Sequence, residues 1–192
     1  MTTSTTTATR TWEGTTVPAP GTYTIDPAHS TVEFVARHLM VSKVRGGFAR
    51  FDGTITIAEH PEESALDVTI DTASITTGAN DRDAHLRSGD FLDAEQFPVM
   101  NYRGRKVERT SGGWRVLGDL TIRDLTLPVP MDVEFLGAIA DPWGNTKSAF
   151  SARAEIDREA FGLTWNVALE SGGVLVGKKV AIEIEVQLAP SA

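Results

Sequence analysis

The stretch V-A-I-E-I-E-V-Q-L, residues 180–188, places Val180, Ile182, Ile184, Val186 and Leu188 on one parity, against Glu183, Glu185 and Gln187 on the other. Successive side chains of an extended strand point to opposite faces, so this segment is a strand with one face in an apolar interior and the other in water. Working outward, the same grammar recurs. Phe150, Ala152, Ala154 and Ile156 share a parity, as do Leu127, Val129, Met131, Val133 and Phe135, where Pro128 and Pro130 on the opposite parity signal an edge or a distorted strand. Trp114, Val116, Gly118, Leu120 and Ile122 follow a Ser111-Gly112-Gly113 turn, preceded by Met100 and Tyr102. Leu66, Val68 and Ile70 alternate with Asp67, Thr69 and Asp71. Phe51, Ile55 and Ile57 hold one parity while Phe48 holds the other, so Gly46-Gly47 predicts a bulge or sharp bend. Val32, Phe34, Ala36 and His38 form an apolar face against Glu33, Val35 and Arg37, after a short strand through Tyr23 and Ile25 that ends at the turn Asp26-Pro27.

This makes roughly eight to nine strands at hairpin spacing, with none of the alternating helices that a parallel sheet requires, so the sheet is expected to be antiparallel. A sheet with a single apolar face must close on itself or pack on a second sheet. Closure at eight strands gives a barrel just wide enough to hold a small ligand. With an inner face of Phe, Leu, Ile, Val and Met, an elongated apolar molecule could take the place of side chains as the filling.

The long interruption is Ile75 to Pro98, I-T-T-G-A-N-D-R-D-A-H-L-R-S-G-D-F-L-D-A-E-Q-F-P. Asn80 is placed to cap a short helix whose first turn carries Asp81 and Asp83, and Leu86 falls on an apolar face. Phe91 and Phe97 are the anchors expected to hold this insert against the barrel mouth as a lid, and Pro98 ends it. A second break, Arg158 to Asn166, sets Phe161, Leu163 and Trp165 around Gly162, and Asp141-Pro142-Trp143-Gly144 reads as a turn.

Composition bounds the function. The 192-residue chain carries a net charge of -8, which argues against a nucleic-acid surface; the run Arg103, Arg105, Lys106 reads as a solvated strand end. No apolar run is long enough for stable membrane insertion. The chain has no cysteine, which removes thiolate nucleophiles and thiolate metal sites. The threonine-rich first twenty residues lack the apolar core of a secretory signal; they are expected to form a disordered tail before a single domain over residues 21–190, and the protein to be cytoplasmic.

Asp81, Asp83 and His85 have a metal-like D-x-D-x-H spacing, but helix capping and ion pairing with Arg82 and Arg87 account for them, and neither metal nor cofactor is expected. His29 and Ser30 do not make a catalytic pair, since adjacent strand residues face opposite ways and no G-x-S-x-G elbow occurs. His38 shares parity with Phe34 and is expected inside, as a satisfied core histidine or against a ligand's polar head. Trp114 reads as core, and Trp165 as lining an opening.

Several ordered motifs together resemble the bacterial YceI-like proteins, lipocalin-like barrels associated with binding polyisoprenoids and similar amphiphiles. They are Y-T-I-D-P-A-H-S-T-V-E-F at Tyr23 to Phe34, G-G-F-A-R-F-D-G at Gly46 to Gly53, and R-D-A-H-L-R-S-G-D-F-L-D at Arg82 to Asp93. G-D-L-T-I-R-D-L-T at Gly118 to Thr126 and F-G-L-T-W-N at Phe161 to Asn166 agree as well, so the likeness spans roughly Gly21 to Leu188. The resemblance implies a closed all-β barrel with a deep apolar channel for an isoprenoid, isoprenoid quinone or fatty-acid-like chain. Many such proteins are secreted or periplasmic. The ligand is expected to meet Phe34, His38, Phe51, Val68, Leu86, Phe91, Phe97, Leu120, Val133, Phe135, Trp165 and Ile184. A carrier that performs no catalysis is expected, with a homodimer left open; the alternative is an enzyme acting on an isoprenoid or other lipid in the same barrel.

Overall fold

The structure, a computed structural model, describes residues 8–39, 41–140, 146–170 and 172–191. Its strands are β1 (Thr9–Trp12), β2 (Thr15–Pro18), β3 (Gly21–Ile25), β4 (Thr31–His38), β5 (Ser42–Phe48), β6 (Phe51–Ile57), β7 (Ala65–Asp71) and β8 (Ile75–Thr76). After the helix α1 (Asn80–Arg87) come β9 (Val99–Thr110), β10 (Gly113–Ile122), β11 (Leu125–Pro128), β12 (Met131–Ala140), β13 (Thr146–Asp157) and β14 (Val176–Pro190). Antiparallel pairing runs β3-β6-β7-β9-β10-β12-β13-β14, and β14 returns to β3, which closes an eight-stranded barrel.

Two of the eight strands are broken. β14 pairs with β3 through Leu188–Pro190 and with β4 through Val176–Glu185, so β3 and β4 are one long strand kinked at Asp26–Ser30. Asp26 sets the kink by accepting a hydrogen bond from the Ala28 N–H, while its carboxylate lies 2.6 Å from Lys147 Nζ and 3.0 Å from His29 Nδ1. β5 and β6, which pair with β4 and β3 in turn, are likewise one strand broken at Ala49–Arg50. The bend expected near Gly46-Gly47 has a steric cause as well: a Cβ on Gly46 would lie 2.5 Å from the Phe34 ring and 2.7 Å from Thr77 Cγ2.

The apolar parities turn inward as expected and form one main core cluster, from Val17 and Val32 through Tyr102, Trp114 and Met131 to Leu163. Val35, placed on the wet face by parity, is nonetheless buried. The apolar face expected from Leu127 to Phe135 is divided: β11 and β12 both pair with β10, and Val129, between them, accepts a hydrogen bond from Tyr102 Oη at 2.9 Å. Two prolines without N–H donors account for the split. The turn expected at Asp141–Gly144, including Trp143, lies outside the described residues.

The first twenty residues correct the expectation of a disordered tail. Residues 1–7 lie outside the described residues, but β1 and β2 form a two-residue hairpin at Glu13-Gly14, both at positive φ, and Val17 is 1% exposed. Glu-Gly supplies the primed-turn geometry, and the flanking threonines are β-branched, so what reads as low-complexity polarity is also good strand chemistry.

Candidate functional site

Inside the barrel lies a cavity of about 330 Å³ whose wall is almost entirely apolar. Eight of the residues expected to meet a ligand line it: Phe34, Val68, Leu86, Phe91, Leu120, Val133, Phe135 and Ile184. Six come from five strands, delivered inward by parity, and Leu86 and Phe91 come from the insert. The other four do not line it. His38 is half-buried at the end of β4; its register partner Val176 lines the cavity but His38 does not. Phe51, beside the β5–β6 break, packs between the core clusters and faces a shallow outer groove. Phe97 is half-buried under the Arg123 guanidinium, 5.9 Å from its ring centre. Trp165 stacks edge-on against His85 at 4.5 Å and tilts against Phe91 at 5.4 Å, outside the wall.

One end of the cavity is closed by the insert and the 158–176 segment. α1 begins after Ala79, not with Asn80 as the cap, and Ala79 offers no side-chain bond. Asp83, from inside the helix, instead ties down the chain that leads into it. The carboxylate of Asp83, 5% exposed, accepts hydrogen bonds from Thr77 N–H at 2.8 Å, Thr77 Oγ1 at 2.5 Å and Thr76 Oγ1 at 3.2 Å. The Thr77 hydroxyl, then the Thr77 N–H and Thr76, hold its pKa below the usual carboxylate range against the opposing effect of desolvation. Arg82 and Arg87 bind the chain leading into α1 rather than the helix acids: Arg82 Nε donates to Thr77 Oγ1 at 2.7 Å, and Arg87 to the carbonyls of Ala73 and Ile75, each at 2.8 Å. The sequence-level expectation of an ion-pair network is corrected to a backbone clamp.

Beyond α1, Phe91 and Leu92 turn into the core; burial of Phe91 alone contributes about 1.5–3 kcal/mol. His85 lies edge-on to Phe91 at 5.0 Å, and its Nε2 is 2.9 Å from Asp90. Thus Asp81, Asp83 and His85 diverge, and among the described residues no group of three or more His, Asp or Glu is gathered for a metal.

The second wall of this end depends on Arg158, which sequence reasoning passed over. It is 3% exposed and donates to the carbonyls of Gly177 at 2.9 Å, Trp165 at 3.1 Å, Val176 at 3.2 Å and Leu163. Desolvation lowers its basicity, yet the carbonyl cage satisfies a charge that would otherwise be too costly to bury. The signal was available only as a basic residue directly before an apolar break. Tyr102, on the wall, donates its hydroxyl hydrogen bond to Val129 O, and burial, with help from Asp119, pushes its pKa up to about 12. Ser64, also on the wall, accepts from Ala58 N–H at 3.1 Å. Every polar group named on the wall is therefore occupied by backbone.

His29 and Ser30 behave as separate residues. His29 meets the Asp26 carboxylate, whereas Ser30 Oγ donates to Asp26 O at 2.7 Å and accepts from Gln187 N–H at 3.0 Å.

The barrel and its cavity have counterparts among known proteins. A family model described as a YceI-like domain matches residues 23–188. A UPF0312 protein of Staphylococcus aureus is 38% identical over 172 residues, an alignment covering 88% of this chain and 98% of the relative. Among solved structures, a YceI protein of Campylobacter jejuni superimposes with a TM-score of 0.67 at 28% identity, covering 81% of this chain and 90% of that one. BcnA of Burkholderia cenocepacia gives 0.67 at 24% identity over 85% and 98% of the two chains. A polyisoprenoid-binding domain from Saccharophagus degradans, implicated in plant cell wall breakdown, gives 0.61 at 14% identity over 88% and 98%. With the barrel closed as that fold requires and the family model spanning β3 to β14, this chain belongs to the YceI-like family.

Proposed function

We propose that the protein binds and carries a long-chain apolar amphiphile, an isoprenoid, isoprenoid quinone or fatty-acid-like molecule, within the barrel. The observation that carries this reading is the cavity itself: a wall of Phe, Leu, Ile, Val and Met side chains enclosed by a closed sheet, on which Tyr102 and Ser64 are bound to backbone. Such a space excludes water poorly matched to it and rewards a ligand that replaces side-chain contacts. The polyisoprenoid-binding domain that shares the fold supports the same ligand class.

An enzyme working on the same chain would need an acid, base or metal converging on the cavity. Glu33, Ser64, Tyr102 and Arg158 are the polar residues that border it; Ser64, Tyr102 and Arg158 are each committed to holding backbone, and Glu33 is exposed on the opposite parity from Val32 and Phe34. Native mass spectrometry of protein purified from its own host tests the carrier reading. A retained prenyl or acyl chain that leaves chemically unchanged is the expected result. Protein that is empty after gentle purification and takes up no added chain would sink the proposal, and a chemically altered ligand would favour the enzyme.

A further inference from the structure

The hairpin β1–β2 lies outside the part of the chain matched by the family model, residues 23–188, yet it belongs to the cavity wall. Val17 and Pro18 line the cavity, and Trp12 packs against the same core. Its partners all sit at the end of the barrel away from α1. Arg10 reaches the β6–β7 connection, with Nη1 3.1 Å from Glu59 Oε2 and Nη2 donating to Ala58 O at 2.9 Å. Trp12 stands edge-on to His60 at 5.1 Å. From the far end of β9, Arg109 donates to Glu13 Oε2 at 3.1 Å and to Thr15 Oγ1. The exit from the hairpin is tied down by Tyr23 Oη, which donates to Ala19 O at 2.7 Å. β1–β2 is thus laid across the second mouth, with Val17 its most deeply buried side chain and Pro18 beside it on the wall.

We propose that this hairpin is the floor of the channel and that Val17 sets the longest chain the cavity accepts. The inference rests on the carrier reading. A channel that is closed at the α1 end by Phe91 and at the other by Val17 has a finite length. Interiors packed to crystal-like density tolerate neither an extra methylene pushed into the floor nor a void left above it. The residue at a blind end therefore selects among homologous chains differing only in length.

The test uses the full chain, stripped of lipid and refolded, incubated with an equimolar ladder of all-trans prenyl alcohols that differ by one isoprene unit, with retained species read by native mass spectrometry. Val17→Phe raises the floor and is expected to move the longest retained alcohol down by about one isoprene unit. Should Val17→Phe displace the hairpin instead, far-ultraviolet and tryptophan signals report it. The double variant Arg10→Ala with Arg109→Ala, which loosens the latch without touching the cavity, is expected to move the limit to longer chains and to speed exchange. An unchanged length limit in both variants, with chains still bound, overturns the floor and leaves the carrier intact. Failure of the parent to retain any alcohol overturns both.

Discussion

Asp26 shows how much one side chain organises. It caps the turn that kinks β3 into β4, and the Lys147 ammonium, then His29, hold its pKa down to about 2 against partial desolvation. Because the folded value lies below the unfolded value of about 3.9, the stabilisation is complete above roughly pH 4 and is lost as pH falls toward 2. In urea melts, Asp26→Asn is therefore expected to be less stable than the parent at pH 7, with the gap closing between about pH 4 and pH 2. A gap that stays constant over that range would assign the effect to something other than the carboxylate. Asp83 is the corresponding residue under the insert, buried with three donors aimed at it. Asp83→Ala leaves those donors without their acceptor and is expected to cost about 1.5–3 kcal/mol in the same melts. Arg158 belongs to the same scale. A cation caged by four backbone carbonyls holds the 158–176 segment shut, a role no short motif announces.

At the scale of elements, the insert carries two aromatics that the structure separates. Phe91 is buried on the cavity wall between His85 and Trp165, whereas Phe97 is half-buried outside under Arg123. If the insert is the gate, only the first should control exchange. Phe91→Ala is expected to release a bound fluorescent fatty acid several-fold faster than the parent, and Phe97→Ala to release it at the parental rate, as read by stopped-flow fluorescence with both variants folded. Matching rates for Phe91→Ala and the parent would move the gate elsewhere on the barrel. The far-ultraviolet β signal should survive in both, since neither residue contributes to strand pairing.

For the whole molecule, the barrel is a closed sheet whose interior is left partly unfilled, so its stability is coupled to occupancy. A ligand that binds the folded state alone at a hundredfold excess over its Kd adds about 2.7 kcal/mol. In a domain of this size that corresponds to a rise in Tm of about 5–10 °C. Differential scanning calorimetry of delipidated protein with and without a long-chain prenyl alcohol should show this rise, and a short polar alcohol should not. Equal shifts from both would mean solvent effects rather than occupation of the cavity. The formal net charge of -8 and the absence, among the described residues, of any helix long and apolar enough to cross a membrane describe the outside of this molecule; its chemistry is on the inside.

By itself the sequence determined whatever depends on neighbours one and two positions apart. Period-two alternation at Leu66–Ile70, Trp114–Ile122 and Val180–Leu188 decided strands, facing and antiparallel order, and the aperiodic polar run after Ile75 decided where the insert interrupts them. Only tertiary structure decided what depends on closure. Parity could put His38 and Phe51 on inward-reading faces but could not say that neither reaches the cavity wall, one at the last residue of β4 and the other beside a strand break, because the extent of a barrel's interior is set by the stagger of all eight strands together. Asp83, rather than Asn80, fixes the start of the insert because Thr76 and Thr77 reach it from the end of β8, and the threonine-rich start became a hairpin because the open mouth offered Val17 and Trp12 an apolar site. Free energy in each case comes from contacts between residues distant in the chain, and those distances exist only once the sheet has closed.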